Sequence, residues 1–221
     1  MQVLIFGTMY IDSHDSHVLV QCWINLHTQL NPTCDFCLID SDSTLRGPLN
    51  LREVEIIQLG DNIGHVARGG QDGWGRAFCH GVSHAIAEGY DYAVHIEGDS
   101  LCKLDVMKQC ENMRLMNTMV AGVPVQGMKR SQNEWLETGL LFMNVKYLDD
   151  MKFVDQYAWE ENNKKYPHTP EWHVNQIFKD HVSLQNWKVM RDDRKVLTPN
   201  SVRSYHWITH AKPEVFNAYA D

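Results

Sequence analysis

Four short apolar runs, each closed by a glycine or an acid, recur through the first hundred residues, with helix-patterned sequence in two of the gaps between them. Val3-Leu4-Ile5-Phe6 stops at Gly7, Phe36-Cys37-Leu38-Ile39 at Asp40, and Val54 to Leu59 at Gly60-Asp61-Asn62. Tyr92-Ala93-Val94-His95-Ile96 empties into Glu97-Gly98-Asp99-Ser100. These runs have the length of strands. Between the first two, Leu19, Cys22, Trp23, Leu26 and Leu30 recur at helical spacing; between the last two, Trp74, Phe78, Val82 and Ile86 share one helical face and Gly89 stands where a C-cap belongs. Strands that are apolar throughout must be covered on both sides. The pattern therefore predicts an α/β fold with a mostly parallel central sheet and helices on both faces.

The second half is less regular. Val106, Met107, Cys110 and Met113 indicate a helix, Met119 to Val123 a strand, and Leu140 to Val145 another strand preceded by Glu137-Thr138-Gly139. Polar Glu160 to Lys165 reads as a solvated helix end or loop, because apolar spacing resumes at Trp172, Ile177 and Phe178. No repeat or low-complexity tract divides the 221 residues, so a single domain over 1–221 is expected. A chain of this size buries roughly 70% of its unfolded surface. The formal charge of −8 argues against a nucleic-acid partner, which calls for a basic face. No run approaches the length of a membrane span, and Met1 to Phe6 lacks the basic flank of a signal peptide, which makes the cytoplasm the expected compartment. Six cysteines, four of them in apolar stretches, are read as reduced thiols.

In a sheet of this kind ligands bind beyond the carboxyl ends of the strands. That rule gathers Gly7-Thr8, Asp40, Asp61-Asn62 and Glu97 to Asp99 on one rim. Two carboxylates at the end of a buried strand are costly unless a cation meets them, and Mg²⁺ or Mn²⁺ prefers oxygen ligands and shares its other positions with phosphates and water. A solvated acidic turn is the plainer alternative. At the other end of the chain, Tyr205-His206-Trp207-Ile208-Thr209-His210-Ala211-Lys212-Pro213 brings imidazoles and an ammonium together. A neutral His206 would complete the coordination begun by Asp99, with Lys212 neutralising a phosphate oxygen.

Three further clusters compete for a role. Gly69-Gly70-Gln71-Asp72-Gly73-Trp74-Gly75-Arg76 opens a helix, so backbone amides and Arg76 would meet a phosphate, although it is neither a Walker loop nor a G-x-G-x-x-G fingerprint; a surface turn is the alternative. Asp12-Ser13-His14-Asp15-Ser16-His17 has metal-ligand residue types but reads better as a polar helix start. Cys34-x-x-Cys37 lacks the second cysteine pair of a zinc site.

Taken together, these residues resemble a glycosyltransferase of the GT-A fold, a single Rossmann-like domain that holds a nucleotide-diphospho-sugar through a D-x-D metal motif. Glu97-Gly98-Asp99 stands in the place of that motif, with Glu at its first position, and Asp40 is similar to the acid after the second strand that contacts the base. The tail is similar to the H-x-x-G-x-x-K-P segment of the retaining, glycogenin-like enzymes, with His206, Lys212 and Pro213 in register and Thr209 replacing the glycine. The Asp-Gln pair expected before the penultimate helix is replaced by Pro170-Glu171-Trp172. Asp61-Asn62-Ile63-Gly64 and Gly73 to Arg76 are similar to small viral glycosyltransferase domains of this fold.

The resemblance implies a metal-dependent transfer from a nucleotide-diphospho-sugar, a UDP-sugar first among them, to a hydroxyl of a glycan or other acceptor, with retention. Glu97, Asp99 and His206 are then the expected metal ligands for Mn²⁺ or Mg²⁺. Thr8, Tyr10 and Asp40 are expected at the nucleoside, and Arg76, His210 and Lys212 at the diphosphate. Glu137 and Glu171 are expected at the sugar or acceptor, and with Asp99 they form the expected catalytic set. A nucleotidyltransferase shares the fold, but its Gly-rich, Arg-containing loop is absent at Gly7-Thr8-Met9-Tyr10. A carbohydrate-binding module that has lost the chemistry is the third reading, and seven tryptophans suit it.

Overall fold

A computed structural model describes residues 1–45, 47–64, 71–124, 136–159, 170–187, 189–191 and 206–209. Ten strands and six helices are seen among them. The strands are β1 (Val3–Met9), β2 (Asp35–Asp40), β3 (Val54–Gln58), β4 (Tyr92–Ile96), β5 (Leu101–Cys102), β6 (Val120–Gly122), β7 (Leu140–Asn144), β8 (Val182–Leu184), β9 (Val189–Arg191) and β10 (Trp207–Thr209). The helices are α1 (His14–Leu30), α2 (Gly73–Ala87), α3 (Val106–Leu115), α4 (Val145–Asp150), α5 (Phe153–Tyr157) and α6 (Pro170–Phe178).

Seven strands form the main sheet in the order β3-β2-β1-β4-β7-β6-β8. β1 to β4 are mutually parallel, whereas β7 runs antiparallel to both β4 and β6. Alternation along the strands splits the core in two. Val3, Ile5, Leu38 and Val94 pack under α1 and α3, while Leu4, Phe6, Ile39 and Ala93 pack under α2, α4, α5 and α6. The α/β class and the two covered faces follow the sequence expectation.

Some boundaries depart from it: β3 stops at Gln58, and β7 stops at Asn144, with Val145 opening α4. β1 does not stop at Gly7 but continues to Met9, and Gly7 sits inside the strand. The missing side chain is what lets Trp23 of α1 close in. A Cβ at Gly7 would lie 2.9 Å from the Ile96 carbonyl and 3.2 Å from the Trp23 ring, and the Trp23 indole donates to that same carbonyl at 3.1 Å. The Asp12 to His17 cluster is the start of a helix: Ser13 caps α1, with its hydroxyl and that of Ser16 exchanged in a capping box. All six cysteines are free, and burial pushes the thiols of Cys34, Cys37 and Cys102 up to about 12, far from a reactive thiolate.

A second, three-stranded sheet, β5-β10-β9, joins segments far apart in sequence. Sequence pattern gave no sign of it, because strands of two or three residues carry no readable period. No helix among the described residues is long and apolar enough to cross a membrane.

Candidate active site

The chain order builds the crevice. From β1 the connections run outward through β2 and β3, then return to place β4 on the other side of β1. The carboxyl ends of β1 and β4 therefore form the switch point where an open α/β sheet binds its ligands. Thr8, Met9 and Tyr10, at the end of β1, line cavities on both sides. One, of about 370 Å³, is completed by Asp12, Ser41, Asn62, Gly64, Gly73, Trp74 and Ala77. The other, of about 180 Å³, is completed by Ser16, Leu19, Val20, Glu97, Gly98 and Asp99.

The acidic stop is a tight turn pressed against β1. The Ser100 amide donates to the Glu97 carbonyl at 2.8 Å, and a Cβ at Gly98 would lie 2.6 Å from the Thr8 carbonyl. Only glycine permits that approach, which leaves the half-buried Glu97 and Asp99 on either side of it. Two such carboxylates suit a hard divalent cation that takes its remaining ligands from phosphate and water. Among the described residues no group of three His, Cys, Asp or Glu side chains is placed to hold a metal ion by itself.

Because β7 is antiparallel, its start lies beside the end of β4. The Glu97 amide donates to the Gly139 carbonyl at 2.9 Å, and wholly buried His95 bonds the Thr138 carbonyl at 2.8 Å. Glu137, only 7% exposed and with its amide on the Val123 carbonyl, is thereby held on the same rim. An antiparallel neighbour is how a residue forty positions downstream reaches the acidic turn, and no local pattern announces it.

Other expected residues have geometry of a different kind. Asp40 is buried, and its Oδ1 accepts from the Ser43 amide at 2.9 Å and hydroxyl at 2.6 Å. It holds the turn that delivers Ser41 to the larger cavity. Arg76 is engaged with Asp61 at 2.6 Å and the Leu59 carbonyl at 2.9 Å, with Trp159 against its guanidinium. Gly75 packs against Asp72 and Tyr157, while Gly73 and Trp74 line the larger cavity. Asp72 caps α2 by accepting from the Gly75 amide at 2.8 Å and also accepts the Tyr157 hydroxyl at 2.9 Å, so a carboxylate already occupies the helix start. Gly69 and Gly70 lie outside the described residues.

His206 is exposed, and its carbonyl accepts from the Lys103 amide at 2.9 Å. Trp207 pairs with Cys102 and Ile208 with Leu101 in antiparallel register, so β10 runs back toward Asp99 from a start on the far side of β5. The strand carrying His206 thus flanks the acidic segment, while His206 itself stands level with Lys103. Glu171 falls in the first turn of α6, which packs through Phe178 on Phe153 of α5 at 5.0 Å. His210 and Lys212 lie outside the described residues. Trp74, whose ring stacks on Phe78 at 4.9 Å and walls the larger cavity, stands in the glycine-rich stretch that the sequence offered for its backbone amides and Arg76, not for an aromatic side chain.

No protein-family model matches the chain, and no curated protein matches it in sequence. Its architecture does have solved counterparts. The galactosyltransferase LgtC, solved with donor and acceptor sugar analogues, superposes with a TM-score of 0.59 at 14% identity over 100% of this chain and 95% of that one. The glycosyltransferase GlyE of Streptococcus pneumoniae gives 0.57 at 13% identity over 99% of this chain and 59% of its own. A glycosyltransferase involved in glycosylation of the major capsid of PBCV-1 gives 0.57 at 9% identity over 100% and 98%. The likeness is of fold and runs the length of the chain: this protein has the GT-A fold of glycosyltransferases.

Proposed function

We propose that the protein is a glycosyltransferase that draws on a nucleotide-diphospho-sugar, a UDP-sugar in particular, in the presence of Mn²⁺ or Mg²⁺, and transfers the sugar with retention to a glycan or other hydroxyl. The observation that carries this reading is the Glu97-Gly98-Asp99 turn pressed onto Thr8 at the β1/β4 switch point. It puts two carboxylates beside a crevice open on the nucleoside side to Thr8, Tyr10 and the Ser41 turn held by Asp40.

Asp99 and Glu97 hold the metal in this reading, and a bound divalent ion would supply charge stabilisation to the departing diphosphate. Lys212 and His210 would add donors at the diphosphate, whereas His206, expected as a third metal ligand, stands level with Lys103 and not with Asp99. Glu137, tied to the same rim, and Glu171 orient the acceptor hydroxyl or face the sugar as positive charge develops on it. The Trp74 ring gives the larger cavity an apolar wall. Arg76 positions the loop after β3 through Asp61. Retention follows from the tail's likeness to glycogenin-like enzymes.

The test is calorimetric titration of UDP with and without Mn²⁺. Wild-type protein should bind UDP in a metal-dependent manner, and Asp99→Asn should abolish the metal's contribution while leaving the melting temperature within a few degrees. Equal affinity without metal removes Glu97 and Asp99 from the proposed role. Slow hydrolysis of one member of a UDP-sugar panel is the expected basal activity; pyrophosphate release from a nucleoside triphosphate would assign the crevice to nucleotidyl transfer instead.

A further inference from the structure

A separate cavity of about 290 Å³ lies beside β6 and the segment after the edge strand β8. It is lined by Gln109, Asn112 and Met113 of α3, by Met116 at the end of that helix, and by Thr118, Ala121, Gln185 and Trp187. None of these eight residues is charged, in a chain where 22% are. That composition rules out most ligand classes. Among the described residues that line it there is no cation to hold a phosphate or carboxylate, and no His, Cys or acid to hold a metal. Three carboxamides and a hydroxyl are the wrong lining for an acyl chain.

What the cavity offers is neutral hydrogen bonding beside an aromatic plate. A carboxamide both donates and accepts, which suits a ring of hydroxyls that do the same. No hydrogen bond among the described residues engages the side chains of Gln109, Asn112 or Thr118. Gln185 is oriented from within: its Nε2 donates to the Ser183 carbonyl at 3.2 Å and hydroxyl at 3.0 Å, and its amide to the Gly122 carbonyl at 2.8 Å. Trp187 is fixed against Phe142, ring centres 5.2 Å apart. The volume is near the lower end of the roughly 300–1,000 Å³ typical of small-molecule sites.

We propose that this cavity is an accessory saccharide site that takes one neutral pyranose unit of a glycan. The Trp187 ring meets the apolar face of the sugar, the Gln109, Asn112 and Gln185 carboxamides meet its hydroxyls, and Met113 with exposed Met116 closes the lip. The site needs no nucleotide and no metal. On the proposed function above, it would tether a glycan acceptor and raise its effective concentration at the rim by avidity alone.

The experiment is methyl NMR of the full chain labelled at methionine, with Met113 and Met116 assigned by single Met→Leu variants. Lactose, maltose and methyl N-acetylglucosaminide are titrated in the absence of UDP and metal. The expected result is saturable movement of the Met113 and Met116 methyls by at least one probe in the millimolar range. The Gln109→Ala, Asn112→Ala double variant, altered only at side chains without a described partner, should keep the melting temperature and weaken that binding about tenfold. No movement with any probe overturns the proposal, as does undiminished binding in the double variant. Movement caused by a short-chain detergent but by no saccharide also overturns it, and assigns the cavity to an apolar ligand. UDP binding is read separately, so loss of this site leaves the donor reading standing, and the reverse.

Discussion

His95, next to last in β4, donates from Nδ1 to the carbonyl of Thr138, 2.8 Å away, and so ties the strand that leads into Glu97 to the turn that carries Glu137. A carbonyl only accepts, which fixes the proton on Nδ1. Burial pushes the imidazole down to about 4, so it is neutral near pH 7. Phe6, Trp74 and Phe78 surround it with ring centres 5.1, 5.5 and 5.1 Å away. His95→Phe keeps a ring in that cage and strands the Thr138 carbonyl, a loss of about 1–3 kcal/mol expected in urea denaturation. Amide exchange at Glu97 should quicken as well, because its acceptor is the adjoining Gly139 carbonyl. Unchanged exchange at Glu97 alongside a stability loss would show that the turn is held without His95.

Asp72 joins α2 to α5, and Gly75 is the space that lets it. A methyl at Gly75 would overlap Asp72 Oδ2 and the Tyr157 ring and hydroxyl. Gly75→Ala is expected to cost about 1–3 kcal/mol through overpacking. Tyr157→Phe alone loses a buried hydrogen bond to Asp72, about 1–2 kcal/mol. Since that change also removes part of the overlap, the double variant should be less destabilised than the two losses added. Strict additivity in a double-mutant cycle would mean that Tyr157 moves away freely.

The legible and illegible parts of this molecule differ in range. Tyr92–Ile96 is read to the residue because a strand buried on both faces writes its apolar run locally, and the acidic stop follows it in sequence. The approach of Gly98 to Thr8 depends on which strand becomes a neighbour, which no local period encodes. Glu137 reached the rim through an antiparallel pairing, and the β5-β10-β9 sheet through segments too short for a pattern. Asp40 was legible as an acid at a strand end but not as the acceptor for Ser43, because the same residue type serves both roles. Arg76 is the same lesson with a charge: its partner Asp61 lies on another element.

Arg76 supplies the third test. Its guanidinium, largely sheltered, bonds Asp61 and the Leu59 carbonyl, whereas Asp61 is mostly exposed. An exposed ion pair contributes about 0–1 kcal/mol, and the carbonyl bond adds a comparable amount. Arg76→Met should therefore lower stability by about 1–2 kcal/mol in urea denaturation, and Asp61→Asn by less. UDP affinity should fall less in Arg76→Met than in Asp99→Asn. An equal fall would mean that the guanidinium leaves Asp61 for the diphosphate.

His27 of α1 gives the fold a pH dependence with a defined sign. It is wholly buried, its Nε2 accepts the Cys102 amide at 3.2 Å, and burial pushes it down to about 3, opposed in part by the Trp23 carbonyl. Among the described residues no charged side chain contributes to the shift. In the unfolded chain the same group titrates near 6.5. Below that pH the unfolded state takes up a proton that the folded state refuses until about pH 3. His27 therefore leaves stability level above pH 6.5 and lowers it progressively as the pH falls toward the folded value, by up to about 1.4 kcal/mol per pH unit. Urea denaturation between pH 7 and pH 4 should show this slope in wild-type protein. His27→Gln, which keeps an acceptor for the Cys102 amide and cannot titrate, should be flatter by about one proton, while carboxylate contributions cancel in the comparison. Coincident slopes would mean that His27 is as easily protonated in the fold as in the open chain.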